Sequence, residues 1–217
     1  MDKAYEQSLS FLMEADKIEN TSNGTMYTFN ELDSRILKTE SNNWVKLEIT
    51  EKDKHNTIIL DEIGNLFLDG NKIEITYENE NLEPIRRTGG IHYYYSANPI
   101  YGSSSEYTHY VKKQNVSDIP LQQSISSLTV GALATIIGFL YAPLSAPLSV
   151  ASTLISAFSV TKTKSLSCQS KIYTHKVYTT GNTPSGYCEK KSTRWFSKTD
   201  YRGESTVTTE FKNGALW

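Results

Sequence analysis

The sequence predicts an α+β protein. It reads as a small antiparallel β-rich N-terminal domain, a central apolar α-helical hairpin, and a C-terminal β-hairpin or sheet tail. Three observations carry this. Short runs of alternating apolar residues lie between turn signals before residue 85 and again after residue 162. Residues 119–161 contain no charged side chain. Within that stretch, two prolines interrupt an apolar run of helical length.

Charge follows the same division. Residues 1–118 carry 20 acids and 12 bases, a net of −8, whereas residues 162–217 carry 4 acids and 10 bases, a net of +6. The expected units are an acidic β-rich domain with an N-terminal helix (1–85), a linker with strands (86–118), the uncharged hairpin (119–161) and a basic aromatic β tail (162–217). An aromatic content of 11 % excludes a wholly disordered chain. The overall net charge of −2 excludes a generic polyanion binder while concealing a basic tail.

In the front unit, Tyr5, Leu9, Leu12 and Met13 fall at helical spacing, so Lys3 to Ala15 reads as a short helix. Asn20 to Thr25 reads as a loop. Strands follow at Met26–Phe29, Trp44–Ile49, Thr57–Leu60, Asn65–Leu68 and Lys72–Tyr77. The Asp69-Gly70-Asn71 run between apolar stretches is a hairpin cue. Asp61, Glu62 and Asp69 do not match the oxygen-ligand spacing of a calcium loop, and read as solvated strand ends. No metal or other cofactor is expected. Pro84 and Gly89-Gly90 mark a boundary. Beside them, Arg86 and Arg87 form a candidate site for a trypsin-like protease, set against an ordinary loop pair.

The uncharged segment predicts two helices, Ile125 to Tyr141 and about Ala146 to Val160. Ser145 suits an N-cap, and Pro147 suits the first turn, where its missing N–H costs nothing. Ala134, Gly138 and Ala142 recur at every fourth position in the first helix, and Ser145, Ser149, Thr153 and Ala157 in the second. Such stripes allow close backbone approach in membrane helix pairs. Seventeen residues is near the floor for a spanning helix, and Ser and Thr supply 11 of the 37 residues from Ser124 to Val160. The candidate insertion residues are Leu128, Ile136, Ile137, Phe139 and Leu140, then Pro143, Leu144 and Pro147 at the turn, then Leu154, Ile155 and Phe158. A permanently buried core hairpin is the competing reading.

This uncharged Ala/Gly/Ser-rich segment resembles the apolar hairpin of colicin-type pore-forming domains. Together with the basic, Tyr-rich tail, it also resembles secreted bacteriocin-like proteins of Gram-positive bacteria. The resemblance covers about a fifth of the chain and is compositional. It implies membrane permeabilisation.

The tail predicts strands at Lys171–Thr179, Ser192–Phe196 and Ser205–Phe211, with a loop at Gly181–Gly186. Its bases are interleaved with aromatics, a composition that suits a membrane interface or an anionic envelope polymer. The candidate surface residues are Lys171, Lys176, Lys190, Lys191 and Arg194, together with Trp195, Lys198, Arg202 and Trp217. The run from Phe196 through Tyr201 and Gly203 to Ser205 resembles the hairpin signature of βγ-crystallin domains. That resemblance implies a β-hairpin in which Gly203 takes positive φ.

Cys168 and Cys188 bracket a loop whose closure is worth about 3 kcal/mol by chain entropy. In a simple hairpin turning near Thr183, Cys188 would face roughly Tyr178, leaving Cys168 ten residues, or roughly 33 Å, away. A disulfide is the expected state and requires residues 179–191 to fold back; free thiols are the alternative.

No catalytic motif is present. His55, His92, His109 and His175 lack zinc spacing, and Gly89-Gly90 lacks the residues of a phosphate loop. The chain is therefore expected not to be an enzyme. No apolar region follows the N-terminus as in a signal peptide, and the chain reads as a secreted protein whose signal peptide has been removed. The function expected from the sequence is that of a secreted, membrane-active protein, bacteriocin- or toxin-like, which inserts the hairpin into a target membrane. Its partner would be an anionic membrane or cell-envelope surface, with no nucleic acid, and with homo-oligomerisation on the membrane as a further expectation. The alternatives are a non-enzymatic binding module whose hairpin is core, and a two-helix membrane-anchored protein.

Overall fold

The computed structural model describes residues 9–78, 109–140, 147–178 and 184–213. These form two antiparallel sheets. The first contains β1 (Lys17–Thr21), β2 (Gly24–Phe29), β3 (Ser34–Ser41), β4 (Trp44–Glu51), β5 (Lys54–Asp61), β6 (Leu66–Leu68) and β7 (Asn71–Lys72), paired in chain order. The second contains β8 (Thr76–Tyr77), β9 (His109–Pro120), β10 (Ser165–Tyr178), β11 (Pro184–Phe196) and β12 (Ser205–Asn213), also paired in chain order. Two helices, α1 (Val130–Leu140) and α2 (Pro147–Phe158), lie in the connection between β9 and β10.

The first sheet follows from period-two patterning. Val45, Leu47 and Ile49 point to one face of β4, and Ile58 and Leu60 to the same face of β5; all are fully buried. The register places Leu47 opposite Ile58, and Ile36 opposite Ile49, so each apolar residue meets another across the ladder. α1 packs on this face. Gly131 permits the approach: a Cβ there would stand 3.1 Å from Ile36 Cδ1 and 3.3 Å from Ile49 Cγ2. One hydrophobic core contains side chains from both sheets and both helices, including Val116, Leu166, Cys168 and Trp195 from the second sheet.

The expected α+β form with an apolar helical hairpin is thus overturned: the described residues are β-rich, with two short helices and two sheets. The sequence offered an uninterrupted apolar run from Ile125, but its first part is not α-helical. Ile125–Ser127 is a single 3-10 turn, and Leu128 is extended. The helix begins at Val130 because Thr129 is held from outside. Its N–H donates to Asn56 Oδ1 at 2.8 Å, and its hydroxyl oxygen accepts the N–H of Ala132 at 3.1 Å as an N-cap.

The features that suggested membrane activity change with it. α1 has 11 residues and α2 has 12, roughly 17 Å each at the standard rise, against a hydrocarbon core of about 30 Å. Among the described residues, no helix is long and apolar enough to cross a membrane. The membrane-spanning hairpin, and pore formation by it, are therefore not sustained.

The expected disulfide is also corrected. Cys168 pairs in register with Trp195, and Cys188 with His175. Seven residues of extended strand separate the two cysteine positions, roughly 23 Å, whereas a bridge needs Cα atoms within about 7 Å. Residues 184–196 pair along β10 as a long strand.

The N-terminal stretch forms a 3-10 turn at Ser10–Glu14 within the described residues, with Phe11 and Leu12 buried. Residues 17–21, partly expected as loop, form the exposed edge strand β1. The candidate processing pair Arg86 and Arg87, the turn residues Pro143 and Leu144, and Trp217 lie outside the described residues.

Candidate binding surface

The second sheet has two unlike faces. Its inner face carries Leu166, Cys168 and Ser170 on β10, and Thr193 and Trp195 on β11, all buried. Trp195 Nε1–H donates to Thr208 Oγ1 at 2.8 Å, and the hydroxyls of Ser170 and Thr193 are 2.8 Å apart. These are the partners that make buried polar groups tolerable.

The outer face is basic. Its residues align in cross-strand rows. In one, Lys113, Lys171, Ser192 and Thr209 stand opposite one another on β9, β10, β11 and β12. In the next, Asn115, Gln169, Arg194 and Val207 do so. On the other side of Lys171, Tyr173 stands opposite Lys190. In the register, Lys171 therefore stands opposite the Lys113 position and diagonal to those of Lys190 and Arg194. No carboxylate stands in these positions. Lys190 Nζ lies 5.1 Å from the centroid of the Tyr173 ring, a cation–π distance. Lys171 and Arg194 are exposed.

One end of this face is covered by the β11–β12 turn, which is tightly lashed to the sheet. Asp200 N–H donates to Ser117 O at 2.9 Å, and Tyr201 N–H to Ser167 Oγ at 2.9 Å. Ser167 Oγ–H in turn donates to Lys198 O at 2.6 Å. Asp200 and Tyr201 both take positive φ, 54° and 58°, which side chains other than glycine rarely do. Phe196 and Tyr201 pack edge to face with ring centroids 5.9 Å apart. Gly203 takes φ +84°, as the hairpin signature implied.

Beneath the turn, the side-chain carbonyl oxygen of Asn115 and one carboxylate oxygen of Asp118 are buried without a hydrogen-bonding partner. Burial, then the nearby Glu78 carboxylate, pushes the Tyr201 phenol well above its usual range. Burial likewise raises Asp118, with Asp200 adding to it against a bond from Ser165.

The surface residues expected from the sequence separate by strand parity. Lys171, Lys190 and Arg194 share the outer face, whereas Lys191 and Trp195 are on inner-face positions. Lys198 and Arg202 are exposed in the turn, and Arg202 pairs with Asp200 at 3.0 Å. Lys176 lies on β10, and its side chain is outside the described set. Gln169 was not among the residues expected at this surface. Strict alternation along β10 and β11 separates Lys190 and Arg194 from Lys191 and Trp195, but only the register brings Lys113 opposite Lys171.

The residues expected to insert into a membrane lie in the helical layer. Leu128, Ile136, Ile137, Leu140, Pro147, Leu154 and Phe158 are buried, and Phe139 and Ile155 partly so. Of the carboxylates weighed for calcium, Asp61 accepts two 2.7 Å bonds from Asn65. Asp69 accepts bonds from Thr57 N–H, Asn56 Nδ2 and Gln123 Nε2 at 2.7, 2.9 and 3.0 Å. Among the described residues, no three His, Cys, Asp or Glu side chains gather as a metal set.

Comparison with protein-family models, curated proteins and solved structures finds no match to this chain.

Proposed function

We propose that this chain is a non-enzymatic binding module which presents the basic outer face of its second sheet to an anionic, phosphate-bearing surface. The source of that phosphate would be membrane headgroups or a cell-envelope polymer. The observation that carries this reading is the surrounding of Lys171 by Lys113, Lys190 and Arg194. Like charges directly opposite in a sheet are destabilising, typically by a few tenths of a kcal/mol to about 1 kcal/mol relative to neutral pairs. Bases placed opposite and diagonal to one another at these register positions favour an anion that spans them. Tyr173 adds an amphipathic ring beside the cluster, suited to the boundary between headgroup and water. Action outside the cell, on an anionic envelope, belongs to the same proposal.

In this reading the helices serve as core. They fill the space between the sheets and hold the second sheet rigid, and they do not leave the fold.

The test is co-sedimentation of the full chain with vesicles of phosphatidylglycerol, with phosphatidylcholine vesicles, and with an insoluble teichoic acid–peptidoglycan preparation. Binding to one or both anionic materials, weakening as salt rises, is expected. The double variant Lys171→Glu/Arg194→Glu should lose it, while Lys17→Glu on β1 of the first sheet should not. Equal binding to phosphatidylcholine, or retention by the double variant, would overturn the reading.

A further inference from the structure

The β11–β12 turn is seated on an irregularity of the second sheet. Along β9 and β10 the register passes from Ile119 opposite Leu166 to Val116 opposite Cys168, so Ser117 and Asp118 together stand against Ser167. Such a bulge bends its strand and re-aims the side chains it carries. The bonds that fasten the turn end there: Asp200 N–H on Ser117 O, and Tyr201 N–H and Lys198 O on the Ser167 hydroxyl. They hold Asp200 and Tyr201 in the left-handed region, at φ 54° and 58°, a strained conformation that is relieved when the turn lifts.

Acids and buried acceptors meet at this seat. Burial opposes the charge of Asp118 most, a bond from Ser165 favours it, the Asp200 carboxylate opposes it and a bond from Ile119 favours it; the balance lies against the charge. The other titratable and charged groups come from each surrounding element. After β8 stands Glu78, whose carboxylate accepts Asn115 Nδ2 at 3.2 Å and lies beside the Tyr201 phenol. Before β10 stands the exposed Lys164, and in the turn are the exposed Lys198 and Arg202, with Arg202 paired to Asp200 at 3.0 Å. One oxygen of Asp118 and the side-chain oxygen of Asn115 are buried acceptors with no donor among the described residues.

We propose that a proton on Asp118 fastens the β11–β12 turn to the second sheet, which makes the turn a clamp that tightens in mild acid. With Asp118 charged, seating the turn brings the Asp200 carboxylate towards a like charge in a place partly closed to water. With Asp118 protonated that repulsion ends, and its O–H is a donor where buried acceptors lack one. The direction follows from linkage: a carboxyl that binds its proton more readily with the turn seated than with it lifted favours seating as pH falls. The gain begins as Asp118 takes up its proton and is complete once the lifted form is protonated too, below about pH 3.9. The clamp does not depend on what the outer face binds.

The test is amide hydrogen exchange of the intact chain at pH 7 and pH 4.5, corrected for the intrinsic pH dependence of exchange, with the β4 amides as the reference for opening of the whole fold. On acidification, protection of the Asp200 and Tyr201 amides should rise severalfold relative to β4. Asp118→Asn keeps the shape, lacks the charge and carries donors. It should protect both amides at pH 7 as the wild type does at pH 4.5, with no further change between the two. Carbon NMR of the wild type should place the Asp118 titration above the ordinary aspartate value of about 3.9. Turn amides whose relative protection is unchanged or falls in acid, or a pH dependence that survives in Asp118→Asn, would overturn the proposal. If Asp118→Asn is poorly folded, the wild-type titration decides alone, and an ordinary value overturns the proposal.

Discussion

The Glu51 carboxylate accepts the backbone N–H of Val130 at 2.8 Å, across 79 residues of chain. This bond ties the tip of the β4–β5 hairpin to the first residue of α1. Asn56 and Lys54 complete the attachment by bonding Thr129 N–H and Leu128 O at 2.8 and 3.1 Å. An N-terminal N–H of a helix has no partner within the helix. Here the first sheet provides one, and so decides where α1 starts.

That attachment predicts a contrast between two substitutions. Burial raises the pKa of Glu51, and the Val130 bond, Lys54 and Lys52 only partly offset it. A carboxyl whose folded-state pKa is raised takes up a proton more readily when folded. Its charged form therefore lowers stability above that pKa, and this penalty fades as pH falls towards the unfolded value of about 4.3. Glu51→Gln keeps an acceptor and removes the buried charge. It should match or exceed the wild type at pH 7, with any advantage shrinking towards pH 4.5. Glu51→Ala leaves Val130 N–H unpaired and should lose about 1–3 kcal/mol. Urea unfolding of the three proteins at both pH values measures this; a Gln variant as weak as the Ala variant would contradict it.

Gly131 predicts a packing limit. Its neighbours Ile36 and Ile49 are buried core residues. Gly131→Ala gains helix propensity of roughly 1 kcal/mol, which the crowded Cβ opposes. Gly131→Val should lose about 1–3 kcal/mol through overpacking. Thermal unfolding that places Val above Ala would show that the helix does not sit this close to the sheet.

Gly203 predicts loss of the β11–β12 turn. A Cβ there would collide with Ser197 Oγ, in a backbone conformation already unfavourable to other residues. The same Ser197 oxygen accepts the N–H of Glu204 at 2.9 Å. Gly203→Ala should therefore cost at least about 1 kcal/mol, and should speed amide exchange at Glu204, Asp200 and Tyr201, the N–H groups that hold the turn. Protected amides in that variant would count against this account.

Lys171 predicts opposite effects on stability and binding. Lys171→Ser removes a charge that stands opposite the Lys113 position in the register, and should raise stability by a few tenths of a kcal/mol at low salt, the gain vanishing at high salt. The same variant should bind anionic vesicles more weakly. A variant both less stable and equally well bound would mean that the cluster is neither strained by its charges nor part of the surface.

Much of the strand pattern was legible. Alternation at Trp44–Ile49 and Thr57–Leu60, and the Asp69-Gly70-Asn71 turn, gave real strands and a real hairpin, because a half-buried sheet writes its period of two directly into the residues. Gly203 was legible for a similar local reason: its backbone conformation is a property of one turn. Strand β3 was missed, although Ile36 lies fully in the core, because the charged residues around it obscure the alternation.

The sequence by itself determined the charge split, the apolar character of residues 119–161 and the short-range turns. Each of these is set by residue type or by neighbours a few positions apart. Only the tertiary structure decided what the apolar segment is. An uncharged run satisfies lipid and a protein core equally, since both exclude water. The outcome rests on long-range partners, Glu51 and Asn56 at one end of α1 and Ile36 and Ile49 along it. Only the register brought Lys113 opposite Lys171 and set Cys168 seven residues from Cys188. Register belongs to pairs of strands, and a single strand does not contain it.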